Sequence, residues 1–278
     1  MERFCDLHTH SVFSDGFNTP AQIIDDAIQT GLSAVALTDH DSVDGLPDFL
    51  QAATGKPVEA IAGAEFAVTY EGTELHLLGL FIPEAAFSPI AELMQQVHQR
   101  REQCVYDLVQ TLNQAGYSLD FSVLKENAEG QVTRAHVAAA IEAKGYMRAT
   151  TAFQTLLKPG AGYYTSPQRL PFLQVLDMLR SLNAVPVLAH PFLNMSAQQL
   201  AAFLPLAKKK GLVGMECLYS AYDDKTTRLA FQLADAIGLL PSGGSDFHGA
   251  IRPEASLGGQ QVPYRYAQAL RQALLPQI

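Results

Sequence analysis

Two histidines one residue apart, His8 and His10, stand near the start of the chain with Asp6 just before them and Asp15 just after. The alternation from Phe4 to His8 is that of a short buried strand, and residues two apart on a strand share a face. Asp6, His8 and His10 are therefore expected to project together. Two imidazoles flanked by carboxylates make half of a metal site. An HxH alone arises by chance, but here the chemistry recurs. Six of the eight histidines, all but His98 and His136, fall in predicted strands or at their ends, together with Asp15, Glu65 and Asp246. A single strand histidine is ordinarily a satisfied core residue. Six of them beside three acids are costly to bury without compensating charge, and metal ions would supply it.

The elements that must position these groups follow from the pattern of the chain. Thr19-Pro20 opens a helix with Ile23, Ile24, Ala27 and Ile28 as its apolar stripe. Strands are predicted at 4–8, 34–38, 58–68, 74–81, 184–189, 213–218 and 239–242. Helices are predicted at 46–53, 87–115, 168–182, 196–210, 223–237 and 265–275, with a mainly helical stretch at 121–160. Seven strands mostly alternating with helices point to a parallel α/β barrel or a doubly wound sheet. His8, His10, His40, His190, Asp246 and His248 each lie at or just past the C-terminal end of a strand. Barrels gather their active sites at that end, whereas a doubly wound sheet concentrates them at one switch point. The barrel is expected to comprise residues 1–84 and 163–278, with 85–162 inserted over its mouth.

Composition narrows the function classes. No run of about 18 apolar residues exists, so no membrane-spanning helix is expected. The opening residues lack the apolar core of a signal peptide, and three unpaired cysteines (Cys5, Cys104, Cys217) suit a reducing cytoplasm. A net charge of −9 argues against general binding of long duplex DNA. Residues 100–169 are nonetheless net +2, leaving −11 elsewhere. A basic segment beside an acidic body suits a small anionic substrate such as a phosphate ester.

The motifs Asp6-Leu7-His8-Thr9-His10-Ser11, Ser14-Asp15-Gly16, Thr38-Asp39-His40-Asp41, Gly63-Ala64-Glu65, His76-Leu77-Leu78-Gly79, Ala189-His190-Pro191 and Ser245-Asp246-Phe247-His248 closely resemble the PHP (polymerase and histidinol phosphatase) family of metal-dependent phosphoesterases. The resemblance runs in the family's order from residue 6 to 248 and implies a distorted seven-stranded (β/α)7 TIM-like barrel with three metals at its C-terminal face. It assigns His8, His10 and Asp246 to one metal, His76 and His190 to a second with Glu65 bridging the two, and Asp15, His40 and His248 to a third. No ligand position departs from the family pattern. Mixed imidazole and carboxylate donors suit Mn²⁺, with Zn²⁺ or Fe²⁺ as alternatives, and disfavour Ca²⁺. Asp6 and Asp39 are expected to orient neighbouring imidazoles from outside.

The metals imply hydrolysis by a metal-bridging hydroxide attacking phosphorus in line with the leaving alkoxide. His136, Tyr222 and metal-bound water stay open as the acid that protonates the leaving group. Arg134 and His136 at a helix start, Lys158 in the loop leaving the insertion, and Arg100 and Arg101 on the preceding helix are expected to bind a second phosphate. Glu216 and Tyr222 are weaker substrate-binding candidates, and Lys208-Lys209-Lys210 reads as a helix terminus complementing its dipole. Within the family the chain looks most like the bacterial group acting on nucleoside 3′,5′-bisphosphates and short RNA from the 5′ end. Hydrolysis of histidinol phosphate is the nearest rival, and a non-catalytic metal-binding module is a rival of another class.

Overall fold

β1 (Phe4–Asp6), α1 (Pro20–Gln29), β2 (Ala34–Leu37), α2 (Leu46–Ala53) and β3 (Glu59–Tyr70) alternate as the sequence predicts. The three strands pair in parallel, Cys5 opposite Ala34 and Ala34 opposite Glu59. β2 is apolar and buried at every position, as a strand covered on both faces must be. Thr19 caps α1 reciprocally with Gln22, and Pro20 occupies the first turn, where its missing N–H is not needed.

The parallel rhythm then breaks at β4 (Thr73–Leu80). Glu71 and Gly72, at φ 47° and 79°, are the only residues between β3 and β4. Two consecutive positive-φ residues make the tight hairpin turn whose twist suits flanking strands, and two residues are too few for a parallel crossover. β4 is therefore antiparallel to β3.

The structure, a computed structural model, describes residues 2–128, 132–158 and 160–274. The remaining elements are α3 (Phe87–Gln114), α4 (Phe121–Glu126), α5 (Arg134–Ala143), α6 (Ala149–Thr155), β5 (Leu170–Pro171), α7 (Phe172–Ser181), β6 (Val185–Ala189), α8 (Ala197–Lys210), β7 (Gly214–Tyr219), α9 (Asp224–Ala236), β8 (Leu240–Gly244), β9 (Val262–Pro263) and α10 (Tyr264–Gln272). The strand order is β8-β7-β6-β4-β3-β2-β1-β9, with β5 attached to β3. β6 is antiparallel to β4, and β9 is antiparallel to β1.

Leu7 N–H donates to Gly243 O at 3.2 Å, which brings the end of β1 against β8 and nearly closes the sheet into a barrel. The architecture is thus a mixed α/β, barrel-like sheet. The seven strands expected from the sequence omit β5 and β9, each of two residues, and the expected parallel arrangement misses the antiparallel β4.

The chain divides into two compact units. One comprises residues up to Ala91 together with those from Leu170 onward; the other is Glu92–Arg169. Cys5, Leu7, Ala36, Ile61, Leu78 and Val187 belong to the core of the first. Leu108, Leu112, Val137, Ile141 and Leu157 belong to a separate core in the second. Each fully buried aliphatic side chain contributes about 1.5–3 kcal/mol over its exposed state, so each unit has its own source of cohesion. Among the described residues no helix is long and apolar enough to cross a membrane.

Candidate metal centre

The polar side chains collect where the parallel strands end. β1 stops at Asp6, and its continuation carries His8 and His10. Thr9 ties that continuation to the next strand: its N–H donates to Thr38 Oγ1 and its hydroxyl to Ala36 O. His40 follows β2 and bridges to Glu65, which lies at that level because β3 is longer than its neighbour. His76 sits in β4, opposite Ala67 on one side and Ala189, the last residue of β6, on the other. The reversed direction of β4 is what brings an early strand residue to the same rim. His190 follows β6 directly, and Asp246 and His248 follow β8.

Glu65 is the junction. It is fully buried, with Oε1 at 2.7 Å from His76 Nδ1 and 2.9 Å from His190 Nε2. Its Oε2 lies 3.0 Å from His40 Nδ1, 3.1 Å from His8 Nε2 and 3.3 Å from His10 Nε2. Asp246 Oδ1 lies 3.1 Å from His10 Nε2 and 3.5 Å from His8 Nε2. Asp15 Oδ1 stands 3.2 Å from His248 Nε2, and Asp15 Oδ2 stands 3.8 Å from His40 Nε2. All nine residues that the sequence singled out as ligands thus meet in one cluster. His10 and His40 face two groupings each: His10 with Asp15, His40 and His248 as well as with His8, Glu65 and Asp246, and His40 also with Glu65 and His76.

The electrostatics are those of a cation site. Burial pushes the Glu65 carboxyl up, but His40, His8 and His76 outweigh it and hold it well below the usual range. Burial likewise opposes the charged form of His76, and the Glu65 carboxylate overrides it, raising His76 to about 10. His40 is pushed down to about 4, chiefly by burial. The most telling atom is His10 Nε2, which is buried between two carboxylates yet has no hydrogen-bond partner. Ionised carboxylates and imidazole nitrogens converging on shared points, one of them unpartnered, are the donor set that Mn²⁺, Zn²⁺ or Fe²⁺ takes.

Comparison with known proteins decides the lineage: the PHP domain family matches residues 6–163, more than half of the chain. The chain belongs to the PHP family. Six of the nine clustered residues fall within the matched PHP segment, and the fold brings in His190, Asp246 and His248 from beyond it.

Three relatives of this PHP chain span most of its length. It is 27% identical over 250 residues to a 5′-3′ exoribonuclease of Haemophilus influenzae, covering 89% of this chain and 91% of that one. It is 29% identical over 249 residues to a 3′,5′-nucleoside bisphosphate phosphatase of Chromobacterium violaceum, covering 87% and 86%. It is also 29% identical over 255 residues to a phosphoribosyl 1,2-cyclic phosphate 1,2-diphosphodiesterase of Eggerthella lenta, covering 88% and 94%. A solved structure from Bifidobacterium adolescentis, named as a metal-dependent phosphoesterase, superposes with a TM-score of 0.75 at 24% identity over 99% of this chain and 98% of its own. That likeness supports the barrel fold.

The other residues predicted from sequence behave differently. Asp6 accepts hydrogen bonds from His8 N–H, Ser245 N–H, the Ser245 hydroxyl and Gly258 N–H, none of them an imidazole. With β1 ending at Asp6, that carboxylate clamps the loop after β8 instead of continuing the line of histidines. Asp39 similarly accepts from Ser11 N–H and from the hydroxyls of Ser11 and Ser14, fixing the loop that carries Asp15. Both acids position the backbone that carries the clustered residues, a correction to the expectation that they orient rings. Gly16 belongs to the same device: a Cβ there would meet His10 O at 2.3 Å.

In the second unit, Arg134 lies over the Tyr164 ring at 4.7 Å and donates to Leu157 O. His136 Nδ1 accepts the Thr133 N–H in the cap of α5. Lys158 and Arg100 are exposed, and Arg101 is half-buried. Pro159, beside Lys158, lies outside the described residues. Tyr222 accepts the Phe192 N–H at 3.1 Å.

Glu216 is the residue that sequence reasoning undervalued. It is fully buried on β7 and reaches His8 Nδ1 at 3.0 Å. An acid inside the otherwise apolar run Gly-Met-Glu-Cys-Leu-Tyr is the signal that it must have a partner.

Proposed function

We propose that this chain removes the 3′-phosphate of nucleoside 3′,5′-bisphosphates, converting adenosine 3′,5′-bisphosphate to AMP and phosphate, with hydrolysis of short RNA from the 5′ end as a second activity. Membership of the PHP family makes it a metal-dependent phosphoesterase, a hydrolase of phosphoester bonds. The observation that carries the reading is the convergence of five imidazoles on the buried Glu65 carboxylate, with Asp15, Asp246 and His248 completing the cluster around it. The C. violaceum relative and the exoribonuclease relative support the nucleotide substrate.

In this reading His8, His10 and Asp246 would hold one metal, His76 and His190 a second with Glu65 shared between the two, and Asp15, His40 and His248 a third, with Mn²⁺ the preferred ion. The bound metals supply Lewis acidity and an activated water near neutral pH. Glu65 would be the carboxylate common to the metals, since its buried side chain faces two histidines with one oxygen and three with the other. Arg134, His136, Lys158, Arg100 and Arg101 are the groups assigned to the substrate's second phosphate, guanidinium and ammonium both suiting a phosphate dianion.

A second reading is favoured by one observation: the diphosphodiesterase of E. lenta is as similar to this chain as the bisphosphate phosphatase is. Turnover of a cyclic ribose phosphate by the same Mn²⁺-loaded preparation separates the two. Preference for the cyclic diester replaces the bisphosphate reading.

A further inference from the structure

β7 contributes none of the nine candidate ligands, yet two of its side chains reach the cluster. Glu216 and Tyr219 are three apart, so regular alternation would send them to opposite faces. The pairing with β8 slips between them: Glu216 is opposite Ser242, and Leu218, two residues on, is opposite Gly243. A bulge of this kind re-aims side chains, and both residues end up buried against the site.

Each bonds the second polar atom of a candidate ligand, not the atom that faces Glu65 or His10, although Glu216 itself also groups closely with His8 and His190. Glu216 Oε1 takes the His8 Nδ1 hydrogen at 3.0 Å, leaving Nε2 as the nitrogen that faces Glu65 and Asp246. Glu216 Oε2 accepts the backbone N–H of His190 at 2.7 Å. His190 sits at φ 24°, a sparsely populated conformation costing on the order of 1–3 kcal/mol that surrounding bonds must hold. Tyr219 donates its hydroxyl to Asp246 Oδ2 at 2.9 Å, and Arg252 donates to the same oxygen at 2.6 Å. That leaves Asp246 Oδ1 as the oxygen turned toward His8, His10 and His248.

We propose that Glu216 and Tyr219 are positioning residues of the metal centre, and that the bulge in β7 exists to aim them: Glu216 selects Nε2 of His8 and fixes the His190 backbone, and Tyr219 makes Asp246 a one-oxygen ligand. This rests on the metal reading above. Outer partners of metal-binding side chains are worth about 10–100-fold in affinity.

The test is calorimetric titration of Mn²⁺ into metal-free wild type, Glu216→Gln and Tyr219→Phe, with thermal melts of each metal-free protein alongside. Glu216→Gln keeps the shape but sets an amide NH2 against one of the two donors, His8 Nδ1–H or His190 N–H, and is expected to weaken Mn²⁺ binding by about 10–100-fold. Tyr219→Phe is expected to weaken it by a smaller factor, since Arg252 still holds Asp246 Oδ2. Wild-type affinity and stoichiometry in both variants overturn the inference, even if their melting temperatures fall. Should Glu216→Gln not fold, wild-type affinity in Tyr219→Phe overturns it alone. A wild-type chain that binds no Mn²⁺ overturns the metal reading itself, and this inference with it.

Discussion

Glu65 Oε2 and His10 Nε2 lie 3.3 Å apart in a fully buried setting without forming a hydrogen bond. A buried polar atom left unpaired costs about 1–3 kcal/mol, so the arrangement makes sense when both atoms share a cation. Glu65→Gln preserves the volume and removes the charge that joins the groupings. Purified, Mn²⁺-reconstituted Glu65→Gln is expected to lose at least one metal per chain by elemental analysis. Its phosphoesterase rate is expected to fall at least about 100-fold, the upper range for lesser, outer partners. Full metal content with wild-type turnover would contradict the central role of Glu65.

Metal removal should reverse the pH dependence of stability. In the metal-free protein His76 stands at about 10, because the Glu65 carboxylate outweighs the effect of burial. A histidine raised above its unfolded value of about 6.5 gives stability that is complete below pH 6.5 and lost as pH climbs toward about 10. His40, held down to about 4 by burial, works from the other side: its contribution is lost as pH falls from 6.5 through 4. The chelated protein should therefore melt highest near pH 6–7. Metal binding needs deprotonated imidazoles, so the loaded protein gains with pH. Melts of both forms are expected to diverge between pH 6.5 and 9; a constant gap would count against imidazole ligation.

The candidate ligands are far more legible in the sequence than the groups that hold them. His8 and His10 declare themselves by spacing, and His190, Asp246 and His248 by following apolar strands. Glu65 and His76 lie inside strands, where only their membership of a set of six histidines and three acids, and then the family resemblance, separates them from core residues. The Glu71-Gly72 turn carries a hairpin signal in two residues, and it reverses β4 against a parallel expectation. β5 and β9 have two residues each, too few for any periodicity. Glu216 was visible as an acid but not as a partner of His8, because the bulge that aims it depends on pairing with β8.

Close backbone approach at the rim gives a stability prediction. A Cβ on Gly244 would lie 2.4 Å from His8 Cβ and 2.6 Å from His8 N. Backbone cannot move aside as a flexible side chain can, so Gly244→Ala is expected to cost about 1–3 kcal/mol. In a chain of this size that is a fall of several degrees in Tm, about 2–4 °C per kcal/mol. Mn²⁺ affinity should drop in the same variant, because the displaced residue is His8. An unchanged melting temperature would show that the rim is looser than these distances indicate.

Lys158 tests the second-phosphate assignment with little structural risk, since its side chain is exposed. A charge-assisted hydrogen bond is worth about 1.5–3 kcal/mol, so Lys158→Ala is expected to raise KM for adenosine 3′,5′-bisphosphate by about 10–100-fold. KM for 3′-AMP, which lacks the second phosphate, should stay as it was. Equal effects on both substrates would remove Lys158 from substrate binding.

The most direct measurement is phosphate release by Mn²⁺-loaded protein from adenosine 3′,5′-bisphosphate, side by side with 3′-AMP, 5′-AMP, histidinol phosphate and a cyclic ribose phosphate. The account predicts rapid turnover of the bisphosphate, with 5′-AMP as the nucleotide product and 5′-AMP itself left intact. Preference for histidinol phosphate or the cyclic phosphate would contradict it, leaving the fold and the clustered ligands in place for a different substrate.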